Sequence, residues 1–305
     1  MNLGYHAGLR HGAWLRRQFA NRSRQPGWLQ QLLQAARARH AAPAPALPLT
    51  LVTFSGSRDL PEQLASLIAL LANFGTPARL WVASDGSHNA AEIALLEGLD
   101  PCVAVRPWHS LALDPLPAPL AQHVAAHPLG RKLALLHGLT SPDTPFLAPD
   151  SQLLYADSDI LFFAAARQWA NEQAWPSAHG GYLLDCQPAL DPELLPTADA
   201  ARIPLNSGVL LFSATDPPAW PQALATLAAS AHAPGHYTEQ TVVHLALQPP
   251  AYLPLPHHRF VVSIVDQFRY RDLILERQPD LVLRHYVNNV RFKFWTQLRR
   301  AIGPW

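Results

Sequence analysis

Residues Leu153 to Phe163 read L-L-Y-A-D-S-D-I-L-F-F, an apolar run that delivers two aspartates spaced i, i+2 and then turns apolar again. In an extended chain successive side chains alternate faces, so Asp157 and Asp159 point one way and Ser158 the other. Two adjacent carboxylates repel unless something positive sits between them, and a hard divalent cation with oxygen ligands is the common solution. The flanking Leu, Ile and Phe residues describe a strand buried on both faces. Such a strand, ending in an acidic pair, points to a metal site at the edge of an α/β sheet. With 15 aspartates in 305 residues, chance alone yields roughly 0.7 Asp-x-Asp pairs. The weight therefore rests on the position of the pair after a strand and on the rest of the chain.

A chain of 305 residues, 49% hydrophobic and 15% charged, fits a soluble globular protein with a sizeable core. No run of 18 apolar residues is present, and Arg16, Arg17, Arg22 and Arg24 interrupt the pattern a signal peptide would need. The expected location is the cytoplasm. Cys102 and Cys186 have no metal-like spacing and read as a pair of buried cytoplasmic thiols. The net charge of +1 conceals an asymmetry: residues 1–58 hold eight Arg and no acid, and residues 281–305 hold five basic residues and no acid. Basic ends on an acidic body favour contact with phosphates or an anionic surface, although a solvated face is the simpler alternative.

Outward from the acidic pair, Leu49–Phe54 and Arg79–Ala83 read as strands around a helix with Leu64, Leu67, Ile68, Leu71 and Phe74 on one stripe. Asp59, Pro61 and Glu62 match a helix start with a capping box. This βαβ unit, continued by a helix from Ala90 and a strand from Cys102, implies a parallel sheet whose ligands lie off the C-terminal strand ends. Ser55, Asp85 and the Asp157/Asp159 pair all fall at such ends. Leu129–Leu139 reads as a helix carrying Arg131 and Lys132, and Ile203–Ser213 places Asn206-Ser207-Gly208 before a strand. Helices are expected over 219–231 and 238–247, the second opening with Glu239-Gln240, and Leu281–Tyr286 reads as a last strand presenting His285. Proline-rich segments around 107–119 and 140–151 read as loops. Residues 1–48 divide off as a basic helical arm ending in the proline linker Ala41–Pro48, and 49–305 as the main domain. With Trp14 and Trp28 on its apolar stripe, the arm can pack on that domain or lie peripherally on the anionic inner face of a membrane.

In this order the pieces resemble the GT-A-fold glycosyltransferases, most closely those of the family 8 type; Ser84-Asp85-Gly86-Ser87 is also similar to family 2 enzymes. The likeness spans about residues 49–295 and rests mainly on Tyr155–Asp159 and Asn206–Phe212. It implies a GT-A-like (Rossmann-like) α/β fold with a mixed, mainly parallel sheet flanked by helices. It also implies transfer of a sugar from a nucleotide-diphosphate donor, a UDP-sugar in the first instance, to a sugar, lipid or protein acceptor; no nucleic-acid partner is expected. By the resemblance, Asp157, Asp159 and His285 would hold Mn2+ or Mg2+ on the donor phosphates, with Asp157 also near the ribose. Ser55 and Asp85 would face the nucleoside, and Arg131 or Lys132 would supply the basic donor contact. Asn206 and Ser207 would line the donor sugar, and Glu239 and Gln240 its hydroxyls. Glu239 would be the general base of an inverting reaction, although the family 8 likeness points to retention. One departure is plain: the family's Gly followed by Lys-Pro-Trp after the late His is replaced by Val287-Asn288-Asn289-Val290-Arg291-Phe292-Lys293-Phe294-Trp295. Arg291 or Lys293 is then the available source of positive charge.

Two rivals use the same residues. A haloacid-dehalogenase-type phosphatase also places Asp-x-Asp after a buried strand, the first Asp being the nucleophile and the second an acid. Against it stand Leu161 two places after the second Asp, the mid-chain position, and the lack of a later Gly-Asp-x-x-x-Asp. The other rival is a non-catalytic protein of the sugar-nucleotide fold that binds an anionic surface through its basic ends. His123 and His127 have i, i+4 spacing but no Glu beside the first His, and Pro128 follows; His257-His258 lies in a proline-rich loop with no partner spacing.

Overall fold

The computed structural model describes residues 3–141, 146, 152–172, 180–195, 204–213, 217–247 and 252–305. Most of the expected 140–151 loop lies outside the described residues. The strands are β1 (Ala46–Ser55), β2 (Thr76–Ser84), β3 (Val103–Pro107), β4 (Gln152–Ala156), β5 (Ile160–Phe162), β6 (Gly180–Leu184), β7 (Leu205–Ser213), β8 (Tyr252–Pro254), β9 (Phe260–Val262) and β10 (Leu283–His285). Among the described residues they form a seven-stranded sheet in the order β3-β2-β1-β4-β7-β6-β8 and a three-stranded sheet in the order β5-β10-β9. In the larger sheet β7 alone runs against the others, antiparallel to both β4 and β6. The fold is thus a mixed, mainly parallel α/β sheet with helices on both faces.

The alternation of side chains along the strands assigns them to two apolar layers. Leu51, Leu80, Val82 and Leu154 pack on one face with helices α1 (Leu3–Ser23), α2 (Trp28–Arg37), α3 (Leu60–Asn73) and α11 (Arg291–Ile302). Val52, Ala83, Leu153, Tyr155 and Phe212 pack on the other with α5 (Ala118–Ala126), α6 (Leu129–Thr140), α8 (Trp220–Ala229) and α9 (Thr238–Leu247). The remaining helices are α4 (Ala90–Glu97), α7 (Ala165–Asn171) and α10 (Leu273–Arg277). None of the described helices is long and apolar enough to cross a membrane.

The quoted stretch 153–163 is not one strand. β4 stops at Ala156, residues 157–159 turn, and β5 joins the smaller sheet, antiparallel to β10. Long-range hydrogen bonds fix the turn: Asp157 N donates to Gly208 O (2.8 Å), and Tyr286 N donates to Asp159 O (3.0 Å). The acidic pair therefore faces one side through a turn between two sheets and not through strand pleating.

A second difference concerns the start of α3. Asp59 makes no side-chain cap; it pairs instead with Arg291 at 2.8 Å. Glu62 is buried and bonds Arg16 (2.6 Å) and Trp295 Nε1 (3.0 Å). Those partners belong to remote helices and outcompete the local bond. A true capping box forms at α4, between Asn89 and Glu92.

α1 and α2 meet at Gly27, whose φ of 74° is the left-handed geometry that favours glycine. Phe19 of α1 is fully buried, 5.4 Å centroid to centroid from each of Trp28, Trp295 and Trp305. The segment 41–48 ends inside β1, which already begins at Ala46. A buried ionic cluster braces the smaller sheet. Arg284 pairs with Asp266 (3.0 Å) and with Asp272, and Lys293 pairs with Asp266 at 2.9 Å. Burial pushes the Asp266 carboxyl up, but Arg284 and Lys293 outweigh it and hold the group below its ordinary value.

Phe19→Ala should cost about 3–5 kcal/mol by leaving a cavity among three indoles, whereas Trp14→Ala, which is exposed, should change stability by less than about 0.5 kcal/mol. Urea unfolding of the two variants checks this, and equal stabilities would refute the packing of α1. The depressed Asp266 group contributes stability that is complete above its unfolded value near ~3.9 and lost as pH falls through its lower folded value. Acid titration of unfolding should therefore show a shallower loss below pH ~4 in Asp266→Asn than in the wild type.

Candidate active site

The reversal of β7 brings its first residues beside the C-terminal end of β4, with Ala156 opposite Val209. Asn206, Ser207 and Gly208 thus sit against the acidic turn, and His285 at the end of β10 closes on them. A cleft of about 250 Å³ opens here, lined by Lys132, Asp157, Asp159, Asp185, Asn206, Ser207, Glu239, Gln240, His285 and Arg291, among others.

The ligand-type atoms of Asp157, Asp159 and His285 lie within 4.8 Å of one another. His285 Nε2 is 3.0 Å from Asp159 Oδ1 and 3.7 Å from Asp157 Oδ2. The other ring nitrogen, Nδ1, lies 3.0 Å from Asn206 Oδ1. Because a carbonyl oxygen only accepts, Nδ1 carries the proton and Nε2 is left to face the carboxylates. Two carboxylates and one imidazole whose outer nitrogen is already engaged form a donor set that could hold a divalent metal ion. Gly208 makes this possible: a Cβ there would stand 2.3 Å from the His285 ring. Without a metal, the two carboxylates favour the protonated form of His285. Burial would lower its pKa, but Asp159 and Asp157 raise it, and the same pairing holds Asp159 down against its own burial.

Lys132 neutralises the other side. Its Nζ lies 3.1 Å from Asp157 Oδ1, 3.1 Å from Ser207 Oγ and 3.6 Å from Glu239 Oε1. Burial alone would lower its pKa, yet Asp157 and Glu239 raise it, so the ammonium stays charged. Tyr155 OH donates to Asp157 Oδ1 at 2.7 Å and keeps its proton, since burial and Asp157 push its pKa well up. Ser207 Oγ donates to Glu239 Oε2 (3.1 Å), and Gln240 accepts from Ser207 N (3.2 Å) and donates to Ala189 O (2.8 Å). Burial raises the Glu239 pKa, opposed by Lys132.

The structure thus brings together Lys132, Asp157, Asp159, Asn206, Ser207, Glu239, Gln240 and His285. Ser55, Asp85 and Arg131 do not line the cleft. Ser55 pairs in register with Ser84, Asp85 accepts from Ser87 N (2.8 Å), and Arg131 Nη1 donates to Asp85 O (2.9 Å). Four participants were not singled out from the sequence. The sequence marks Tyr155 and Gly208 only as members of motifs and Arg291 only as a charge, and it does not mark Asp185. Asp185 follows the apolar end of β6 as Asp157 follows β4, and that shared pattern was its signal. Its Oδ2 accepts from Asn206 Nδ2 at 2.9 Å.

No protein-family model matches the sequence, and no curated protein matches it either. Solved structures do match in fold. The galactosyltransferase LgtC, solved in complex with donor and acceptor sugar analogs, superposes with a TM-score of 0.54 at 13% identity over 84% of this chain and 97% of LgtC. Mouse xyloside xylosyltransferase 1 gives 0.52 at 15% identity over 79% and 98% of the two chains. The bifunctional glycosyltransferase WbbM gives 0.55 at 11% identity, matching 83% of this chain and 49% of WbbM. The fold is of the GT-A type.

Asn206→Ala should weaken Mn2+ binding by about 10- to 100-fold, because His285 loses the partner that fixes its tautomer and ring. Mn2+ titration followed by electron paramagnetic resonance checks this; unchanged affinity would remove His285 from the ligand set.

Proposed function

We propose that the protein is a metal-dependent glycosyltransferase that moves a sugar, with retention, from a nucleotide-diphosphate donor of the UDP-sugar type to a sugar, lipid or protein acceptor. The observation that carries this reading is the Asp157–Asp159–His285 trio, set at the strand ends of a GT-A-type fold and opening on a cleft. The likeness to LgtC, a galactosyltransferase solved with donor and acceptor sugar analogs, supports it. Asp157, Asp159 and His285 would hold Mn2+ or Mg2+, which when bound offsets the negative charge that grows on the nucleoside diphosphate as it leaves. Lys132, 3.1 Å from an Asp157 oxygen, keeps the trio from carrying excess negative charge toward the phosphates. Arg291, whose Nε is 3.7 Å from Asp159 Oδ2, offers the positive charge on the opposite wall.

One feature supports retention. Glu239 is only 3% exposed and held by Ser207 and Lys132, which suits a positioning group better than a base acting on an incoming acceptor. Asp185, Asn206 and Gln240 form a hydrogen-bonded wall of the cleft on the same side, suited to orienting sugar hydroxyls. The phosphatase reading has less support, because Tyr155 and Lys132 engage both oxygens of the Asp157 carboxylate.

Incubation with UDP- and GDP-sugars and Mn2+ should release nucleoside diphosphate slowly even without acceptor. Asp159→Asn should lower that release by about 100-fold or more, the loss of roughly 2.7 kcal/mol of transition-state stabilisation. Release of inorganic phosphate from a phosphate monoester, with sugar nucleotides left intact, would overturn the proposal in favour of the phosphatase.

A further inference from the structure

α1 buries Leu15 and Phe19 but leaves Leu9 and Trp14 exposed, at 38% and 48%. Beside it, the segment 264–271 exposes Val265 (75%), Phe268 (56%) and Tyr270 (40%). The two elements make one surface. His11 stacks on Trp14 and on Tyr270, each at 5.9 Å, and Tyr5 meets the Phe268 ring edge-on at 5.8 Å. Arg10, Arg17, Arg269 and Arg271 are exposed on the same two elements.

This is not a slack loop. Asp266, fully buried, accepts from Leu273 N (2.9 Å) and pairs with Arg284 and Lys293. Lys293 Nζ also donates to Arg271 O (2.6 Å). A buried ionic cluster therefore holds the segment from below while its apolar side chains face outward, an arrangement that leaves apolar area in water unless something covers it.

We propose that this face docks on an anionic lipid membrane. Trp and Tyr rings interleaved with arginines are the chemistry of the headgroup region, where the rings partition and the guanidinium groups meet phosphates. Charge complementarity points the same way. Residues 1–58 contain no Asp or Glu, and Glu276 beside the segment already pairs with Arg271 at 2.8 Å. The face is also continuous with the cleft. Ile264 and Asn289 line the cleft, and Asn289 Nδ2 donates to Gln267 Oε1 (2.9 Å) within the docking segment. An acceptor carried on the lipid surface would then be presented next to the donor site. This last step rests on the glycosyl-transfer reading; the docking itself does not.

The test is co-sedimentation of the full chain with vesicles of phosphatidylcholine alone and of phosphatidylcholine mixed with phosphatidylglycerol. Binding to the mixed vesicles only, weakened by salt, is expected. Trp14→Ser combined with Phe268→Ser should weaken it by about tenfold or more, and Arg10→Gln with Arg269→Gln by about fivefold per charge. Both double variants should keep the wild-type affinity for UDP with Mn2+. No binding to either vesicle, equal binding to both, variants that bind as wild type, or a concentration-dependent dimer abolished by the same substitutions would each overturn the proposal. A wild-type chain that binds no vesicles but does bind nucleotide with metal removes the membrane surface and leaves the transfer reading standing; a wild-type chain that binds the mixed vesicles but no nucleotide removes the transfer reading alone.

Discussion

Two carboxylates that a buried turn forces side by side must be neutralised, and most of the architecture around the cleft does so. Asp157 and Asp159 cannot separate, because Gly208 O holds one backbone amide and Tyr286 N the other residue's carbonyl. Like charges at this range in a poorly solvated place are costly. Lys132 reaches Asp157 from α6, and His285 reaches both aspartates from β10. The approach of His285 depends in turn on the missing side chain of Gly208 and on the carbonyl of Asn206. A single antiparallel strand, β7, thus supplies the space, the imidazole's orientation and the serine that links Lys132 to Glu239. Divalent metal fits such a centre because it can replace the imidazolium charge between the same oxygens.

The uneven charge of the chain acquires a structural meaning in the same way. Several basic residues of the two termini serve the acidic body internally: Arg16 on Glu62, Arg37 on Asp100, Arg291 on Asp59, and Arg284 with Lys293 on Asp266. The N-terminal helices are joined to the main sheet by these pairs and by the indoles around Phe19, so packing of the arm and its exposed face are not alternatives. The inward stripe packs, and the outward one remains basic and aromatic.

What the sequence could disclose follows the range of each interaction. The strands of the first βαβ unit, the helices over 129–140 and 238–247, and β7 were legible because their apolar periodicity is local. Asp157, Asp159, Asn206 and His285 stood out because each closes or opens such an element. The split of 153–163 between two sheets was not legible, since both halves are equally apolar and the turn is fixed by Gly208 and Tyr286, far along the chain. Glu62 looked like a cap for the same reason, its partners Arg16 and Trp295 lying 46 and 233 residues away. Tyr155 alternates as a core residue, buried against the apolar layer, and nothing in its spacing tells that its hydroxyl ends on Asp157.

The most direct test of the metal centre and its ligand is calorimetric titration of UDP and of GDP into the protein, with Mn2+ and again with EDTA. The geometry predicts that UDP binds in the presence of Mn2+ and that EDTA abolishes the binding. Failure of both nucleotides to bind with Mn2+, or UDP binding of equal strength in EDTA, would contradict a donor site built on Asp157, Asp159 and His285.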